Sequence, residues 1–150
     1  MADKAFCGTV VLPDRIIEDG YVLVGDGVVQ SVGTGGAPAG EKHGGAGVLV
    51  LPGAIDAQVH SRSQLGQEDF IWSTRSAAAG GVTTIVDMPY DDNCLIATAD
   101  RFRTKAKEAG AQARVDFALY ATIDPEEGAA RIDELADAGA AAFKFSTFGT

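Results

Sequence analysis

The sequence predicts an α/β fold, and three observations carry the prediction. From Gly53 onward, short runs rich in Val, Ile, Thr and Phe alternate with longer, more polar stretches, the strand–helix alternation that builds a parallel sheet. Each such pair takes roughly 30 residues, the size of a βα repeat in a parallel barrel or an open α/β sheet. Residues 1 to 50 lack helical stretches and read as short strands joined by turns.

In the first part, Phe6 to Leu12 and Tyr21 to Val24 are strand candidates, Gly25-Asp26-Gly27 is a turn, and Val28 to Val32 returns as a strand. Gly33 to Gly47 is so rich in glycine that it reads as an exposed loop, with His43 solvated and idle, before Val48 to Leu51 enters the second part. There, Ala54 to His60 is a strand, followed by a helix near Glu68 to Ala79 that Gly80-Gly81 ends. Val82 to Met88 has the β-branched composition of a buried parallel strand. Thr98 caps a helix running to Ala109, with Gly110 just past its end, and Arg114 to Ala121 is the third strand. Asp124-Pro125-Glu126-Glu127 combines an N-cap aspartate, a proline at the first helical position and a capping-box glutamate. The helix that follows puts Ile132, Leu135 and Ala136 on one face and stops at Gly139; Ala141 to Ser146 is the fourth strand.

Composition excludes several classes of function. With 46% hydrophobic and 22% charged residues, the 150-residue chain has the make-up of a soluble globular protein. A net charge of −9 argues against nucleic acid and against an anionic membrane surface as partners. No segment approaches a membrane span. Cys7 and Cys94 stand far apart without a framework spacing, so reduced thiols and a cytoplasmic location are expected. Nucleophile elbows, phosphate-binding glycine loops and CxxC metal sites are all lacking.

The most informative stretch is Leu51 to Arg62, Leu-Pro-Gly-Ala-Ile-Asp-Ala-Gln-Val-His-Ser-Arg. It reads as a buried strand delivering polar side chains at its C-terminal tip. Residues two apart share a strand face, so Gln58, His60 and Arg62 are expected to point the same way. Two imidazoles in that i, i+2 arrangement chelate a divalent metal; here Gln58 stands in the first position.

This stretch resembles the first barrel strand of the amidohydrolase superfamily, in the cyclic-amidohydrolase branch of dihydroorotases, hydantoinases and allantoinases. That branch typically reads Pro-Gly-x-Ile-Asp-x-His-x-His, and the chain matches at Pro52, Gly53, Ile55, Asp56 and His60. The likeness continues in order through Ala78 to Pro89, Val115 to Tyr120 and Phe143-Lys144-Phe145. It implies the N-terminal part of a (β/α)₈ TIM-type barrel preceded by part of a small β-sandwich domain. Residues 1–50 are then the sandwich segment and residues 51–150 the first four barrel strands. A complete barrel needs about 250 residues, so the remainder is expected beyond this chain.

The resemblance also implies a function: metal-dependent opening of a cyclic amide or ureide, with a divalent metal such as zinc, in a homo-oligomer of the full-length protein. His60 would be a metal ligand. Gln58, a weaker donor than imidazole, would ligate or hydrogen-bond beside it, so that one ion or two are held. Lys144 takes the place of the carboxylated lysine that bridges two metals in relatives. The residues favour this reading, because burial in an apolar strand disfavours the ammonium and leaves the neutral amine that adds carbon dioxide. Arg62 matches the His-x-Arg of dihydroorotases, whose arginine grips the substrate carboxylate. Against that match stand Ser63-Gln64-Leu65-Gly66 in place of Glu-Pro-Gly and Tyr90 in place of asparagine. Asp56 and Asp87 are candidates to orient ligands through hydrogen bonds. The family's two further histidines and its catalytic aspartate come from later strands, so no catalytic residue is expected here and the 150-residue chain alone is expected to be inactive. The competing reading is a catalytically silent relative serving as an assembly or interaction subunit, motivated by the loss of the first histidine.

Overall fold

The structure, a computed structural model, describes residues 3–63, 66, 68–91, 94–124, 126, 127 and 129–145. It divides into two units, Met1–Pro52 and Gly53–Thr150.

The first unit is a four-stranded sheet of β1 (Lys4–Val11), β2 (Ile16–Gly25), β3 (Val28–Thr34) and β4 (Glu41–Val50), in the order β3-β2-β1-β4. β1 and β2, and β2 and β3, pair antiparallel, while β4 runs parallel to β1. Asp26 and Gly27, at φ 50° and 79°, close the β2–β3 hairpin, both in the positive-φ conformation that suits a two-residue turn.

The expected loop over Gly33 to Gly47 is corrected, because residues from Glu41 onward form β4. The glycines there serve close approach, not chain reversal. β1 and β4 stay in step to Cys7 opposite Gly44 and resume with Thr9 opposite Leu49, so β4 bulges between. Gly44 sits at φ +86°, where a Cβ would lie 2.4 Å from the Cys7 carbonyl oxygen. His43 is likewise no idle loop residue: it pairs with Phe6, is half-buried, and stacks on that ring at 5.5 Å between centroids. Val48 to Leu51 falls in this first unit as well.

The second unit runs β5 (Ala54–Val59), α1 (Phe70–Ala79), β6 (Val82–Asp87), a short hairpin of β7 (Tyr90–Asp91) and β8 (Cys94–Leu95), α2 (Ala99–Gln112), β9 (Asp116–Thr122), a 3₁₀ turn (Ala129–Arg131), α3 (Ile132–Asp137) and β10 (Ala142–Lys144). The sheet order β10-β9-β6-β5, parallel throughout, makes chain neighbours spatial neighbours, as successive βαβ units do. Phe70 of α1, Ile85 of β6, Phe102 of α2, Leu119 of β9 and Leu135 of α3 form one buried cluster between helices and sheet. Ile85 faces Phe117 in register and Ala121 faces Phe143, all on this helix-covered side.

Two helix boundaries differ from expectation. α2 passes through Gly110 and ends three residues beyond Ala109, since Gln112 is held by tertiary contacts: its Oε1 accepts from the Ile71 amide (3.3 Å) and its Nε2 donates to Asp69 Oδ2 (3.0 Å). A glycine's modest helix penalty yields to such contacts. The capping signal at Asp124 starts a turn, not a helix. Its Oδ1 accepts from the amides of Glu126 (2.8 Å) and Glu127 (3.2 Å), but α3 begins at Ile132. Of the expected apolar face only Leu135 is buried; Ile132 is half-buried and Ala136 exposed. Pro125 and Ser146 lie outside the described residues. Both cysteines are free.

Candidate active site at the C-terminal ends of the parallel strands

β5 carries the central motif, and its last turn of sequence is irregular. Asp56 pairs with Ile85 and Val59 with Asp87, three residues against two, so β5 bulges by one residue. Asp56 Oδ1 accepts the Gln58 amide at 3.0 Å, giving that N–H a partner where the ladder is interrupted. Val59 packs against the helix-covered core, which puts the Gln58 side chain on the opposite, exposed face of the sheet.

His60 follows the strand end and is exposed. Its Nδ1 lies 2.7 Å from Ser63 Oγ, and its ring lies parallel to that of Tyr90, 6.4 Å between centroids and 6° between planes. In the tautomer whose Nδ1–H donates to Ser63, the Nε2 lone pair is left for a ligand; in the other, Ser63 donates to Nδ1.

Arg62 departs from the expected common face. The strand period ends at Val59, and the chain turns so that Arg62 reaches the helix layer. Its Nη1 donates to Glu108 Oε2 at 2.6 Å, its Nη2 to Asp91 Oδ2, and its Nε lies 4.0 Å from Asp69 Oδ1. Burial alone would lower the Arg62 pKa; hydrogen bonds and charge from Asp91 and Glu108 outweigh it and hold the guanidinium above its ordinary value.

Beneath lies a buried ion cluster that sequence reasoning missed. Lys105 of α2 is 1% exposed, and its Nζ stands 2.7 Å from Asp87 Oδ2 and 3.0 Å from Asp91 Oδ1. It also donates to the carbonyls of Met88 (2.8 Å) and Tyr90 (3.2 Å). Asp87 Oδ1 accepts the Ser61 amide at 2.8 Å, and Ser61 Oγ meets Ser73 Oγ at 2.8 Å. The Phe70 ring floors the cluster, 5.7 Å from Arg62 Cζ and 5.8 Å from Lys105 Nζ. One signal was available: Lys105 falls between Phe102 and Ala109 at helical spacing, on the line of α2 that faces the core.

Lys144 ends β10 opposite Thr122, half-buried. Phe143 packs on the core, so the Lys144 side chain stands on the other face of the sheet, the same side as Gln58. Thr122 Oγ1 donates to the Lys144 carbonyl at 3.0 Å. Among the described residues no three His, Cys, Asp or Glu side chains converge as a metal site, so this stretch offers part of a donor set, with His60 its one imidazole near the strand tips. No helix among the described residues is long and apolar enough to cross a membrane.

No family model matches the sequence. Relatives do match. The chain is 42% identical over 142 residues to an allantoinase of Rubrobacter xylanophilus, covering 91% of the chain and 30% of that protein. It is 36% identical over 135 residues to an L-hydantoinase of Paenarthrobacter aurescens, with 85% and 29% covered, and 36% identical over 136 residues to a dihydroorotase of Aeropyrum pernix, with 87% and 31% covered. Among solved structures, an L-hydantoinase from Arthrobacter aurescens superposes with a TM-score of 0.79 at 33% identity, over 95% of this chain and 32% of that one. A dihydroorotase structure shares the fold, with a TM-score of 0.60 at 15% identity. Parallel βα units with a histidine at a strand tip and these relatives place the chain in the amidohydrolase superfamily. Within that superfamily the chain belongs to the cyclic-amidohydrolase branch, and it spans about 30% of the length of the curated relatives it matches.

Proposed function

We propose that the full-length protein is a metal-dependent hydrolase that opens a cyclic amide, with this chain supplying the first four strands of a (β/α)₈ barrel. One observation carries the reading: Gln58 and Lys144 share the sheet face turned away from the helices, and His60 follows at the strand tip with Nδ1 on Ser63. Active sites of parallel barrels lie at that end of the strands. His60 Nε2 would hold a divalent metal such as zinc, with Gln58 beside it. Lys144 would serve as a carbamate: its unprotonated amine would form an N–C bond to carbon dioxide as one C–O π pair moves onto oxygen and a proton leaves, and the resulting anion would be a metal ligand. The chemistry supplied by a bound metal is polarisation of the ring carbonyl and a lowered pKa of water, towards ~7. The remaining donors and the catalytic aspartate belong, on this reading, to strands beyond residue 150.

Arg62 narrows the substrate. Its guanidinium is engaged by Asp91 and Glu108, which leaves little positive charge for a ring carboxylate. This supports an uncharged hydantoin- or allantoin-like ring over an anionic dihydroorotate. The test is to express the full-length protein, measure bound metal by elemental analysis, and follow ring opening of hydantoin, allantoin and dihydroorotate. Lys144→Ala is expected to lose metal and turnover, short carboxylic acids to restore part of both, and Lys144→Arg to restore neither. Metal content and rate unchanged in Lys144→Ala overturn the carbamate. A wild-type protein without metal or turnover favours the assembly subunit.

A further inference from the structure

We infer that Lys105, on α2, is a positioning residue for the His60 imidazole, acting through Asp87 and Tyr90; this rests on the reading of His60 as a metal ligand. Four oxygens from one five-residue segment surround Lys105 Nζ: the Met88 and Tyr90 carbonyls accept its hydrogen bonds, and the Asp87 and Asp91 carboxylates pair with its charge. Two hydrogen bonds and two ion pairs thus draw the turn that follows β6 around a single point of α2.

Two routes lead from that turn to His60. Asp87 uses one carboxylate oxygen on Lys105 and the other on the Ser61 amide, the peptide group that joins residue 61 to His60. Tyr90, whose carbonyl Lys105 holds, lays its ring parallel to the imidazole. Displacing the ammonium therefore frees both the backbone after His60 and the ring beside it. Ser63 meets the ring at Nδ1, and the Lys105 cluster sets where that ring sits. A buried charge of this kind is a poor stabiliser compared with apolar side chains, which is the physical reason to look for another role. Partners one step behind metal ligands typically change metal affinity 10–100-fold when removed.

The alternative is a strut that only fastens α2 to the sheet. To separate the two, Lys105→Met, the pair Asp87→Asn with Lys105→Met, and Leu135→Ala are made in the full-length protein. Leu135 is buried in the same core but lies on α3 and carries no polar group, so its loss reports general weakening. The probe is Co²⁺ alone, read as affinity in competition with a chromophoric chelator and as the visible absorption of the bound ion. Lys105→Met is expected to lower Co²⁺ affinity at least tenfold and to alter the absorption envelope, while Leu135→Ala lowers only the thermal midpoint. The paired variant leaves no lone charge in the core and keeps an acceptor for the Ser61 amide. It is expected to fold where the single variant does not, and to show the same loss of affinity. Wild-type affinity and spectrum in either folded Lys105 variant overturn the proposal alone, as does an equal affinity loss in Leu135→Ala. A wild-type protein that binds no Co²⁺ overturns the metal reading and this inference with it.

Discussion

Lys105 Nζ and Asp87 Oδ2 lie 2.7 Å apart with both side chains closed to solvent, one on the α2 helix and the other at the end of the β6 strand. Removing one partner of such a pair leaves an uncompensated buried charge. Lys105→Met is therefore expected to cost about 3–5 kcal/mol of stability. Asp87→Asn with Lys105→Met is expected to cost less than that single change. Urea unfolding of the three proteins checks the order; a single variant within about 1 kcal/mol of wild type contradicts a buried, charged pair.

Gln58→His puts a second imidazole two residues before His60, on the exposed sheet face at the end of β5. In the full-length protein it is expected to raise bound metal towards two ions per chain, because imidazole is the stronger donor. Elemental analysis reads the result, and an unchanged stoichiometry places Gln58 away from the metal.

Arg62→Met removes a guanidinium that answers Asp91 and Glu108. The side chain is partly exposed, so the expected loss is about 2 kcal/mol, between the limits for surface and buried pairs. Because the charge is engaged within the chain, KM for an uncharged ring is expected to stay within about twofold, well under the tenfold that 1.4 kcal/mol represents. A selective loss of activity on a carboxylate-bearing ring instead assigns Arg62 to the substrate.

Gly44→Ala tests the bulge in the first unit. Its φ of +86° and the 2.4 Å approach of a Cβ to the Cys7 carbonyl oxygen both oppose a side chain. A loss of about 1–3 kcal/mol is expected. Gly27→Ala, at φ +79° but with open space around it, is expected to cost less. Thermal or urea unfolding compares the two, and equal losses refute the steric part of the argument.

The alternation of strands and helices after Gly53 was legible because local pattern decides it. β-branched runs formed β6, Asp69 and Thr98 capped the α1 and α2 helices, and Gly139 at φ +103° followed the last helix. Residues 41–50 were not legible, since glycine marks a turn or a close backbone approach with the same letter. His60 and Lys144 were singled out as candidates from the ordered motifs that surround them. Lys105 was passed over because surface lysines are the rule, and one inside a helical stripe declares itself only against its partners.

By itself, the sequence determined the order of elements, the sheet face of Gln58 and Lys144, and the membership of a family that 42% identity over 142 residues supports. These depend on strand periodicity and on residue identity, both of which are local. Only the tertiary structure decided where Arg62 and Lys105 go. Arg62 sits just past the strand that was expected to aim it, and a chain that leaves a strand loses the period of two. Lys105 meets Asp87 across 18 residues of sequence, and that pairing arises when α2 packs on β6 and water leaves the space between them.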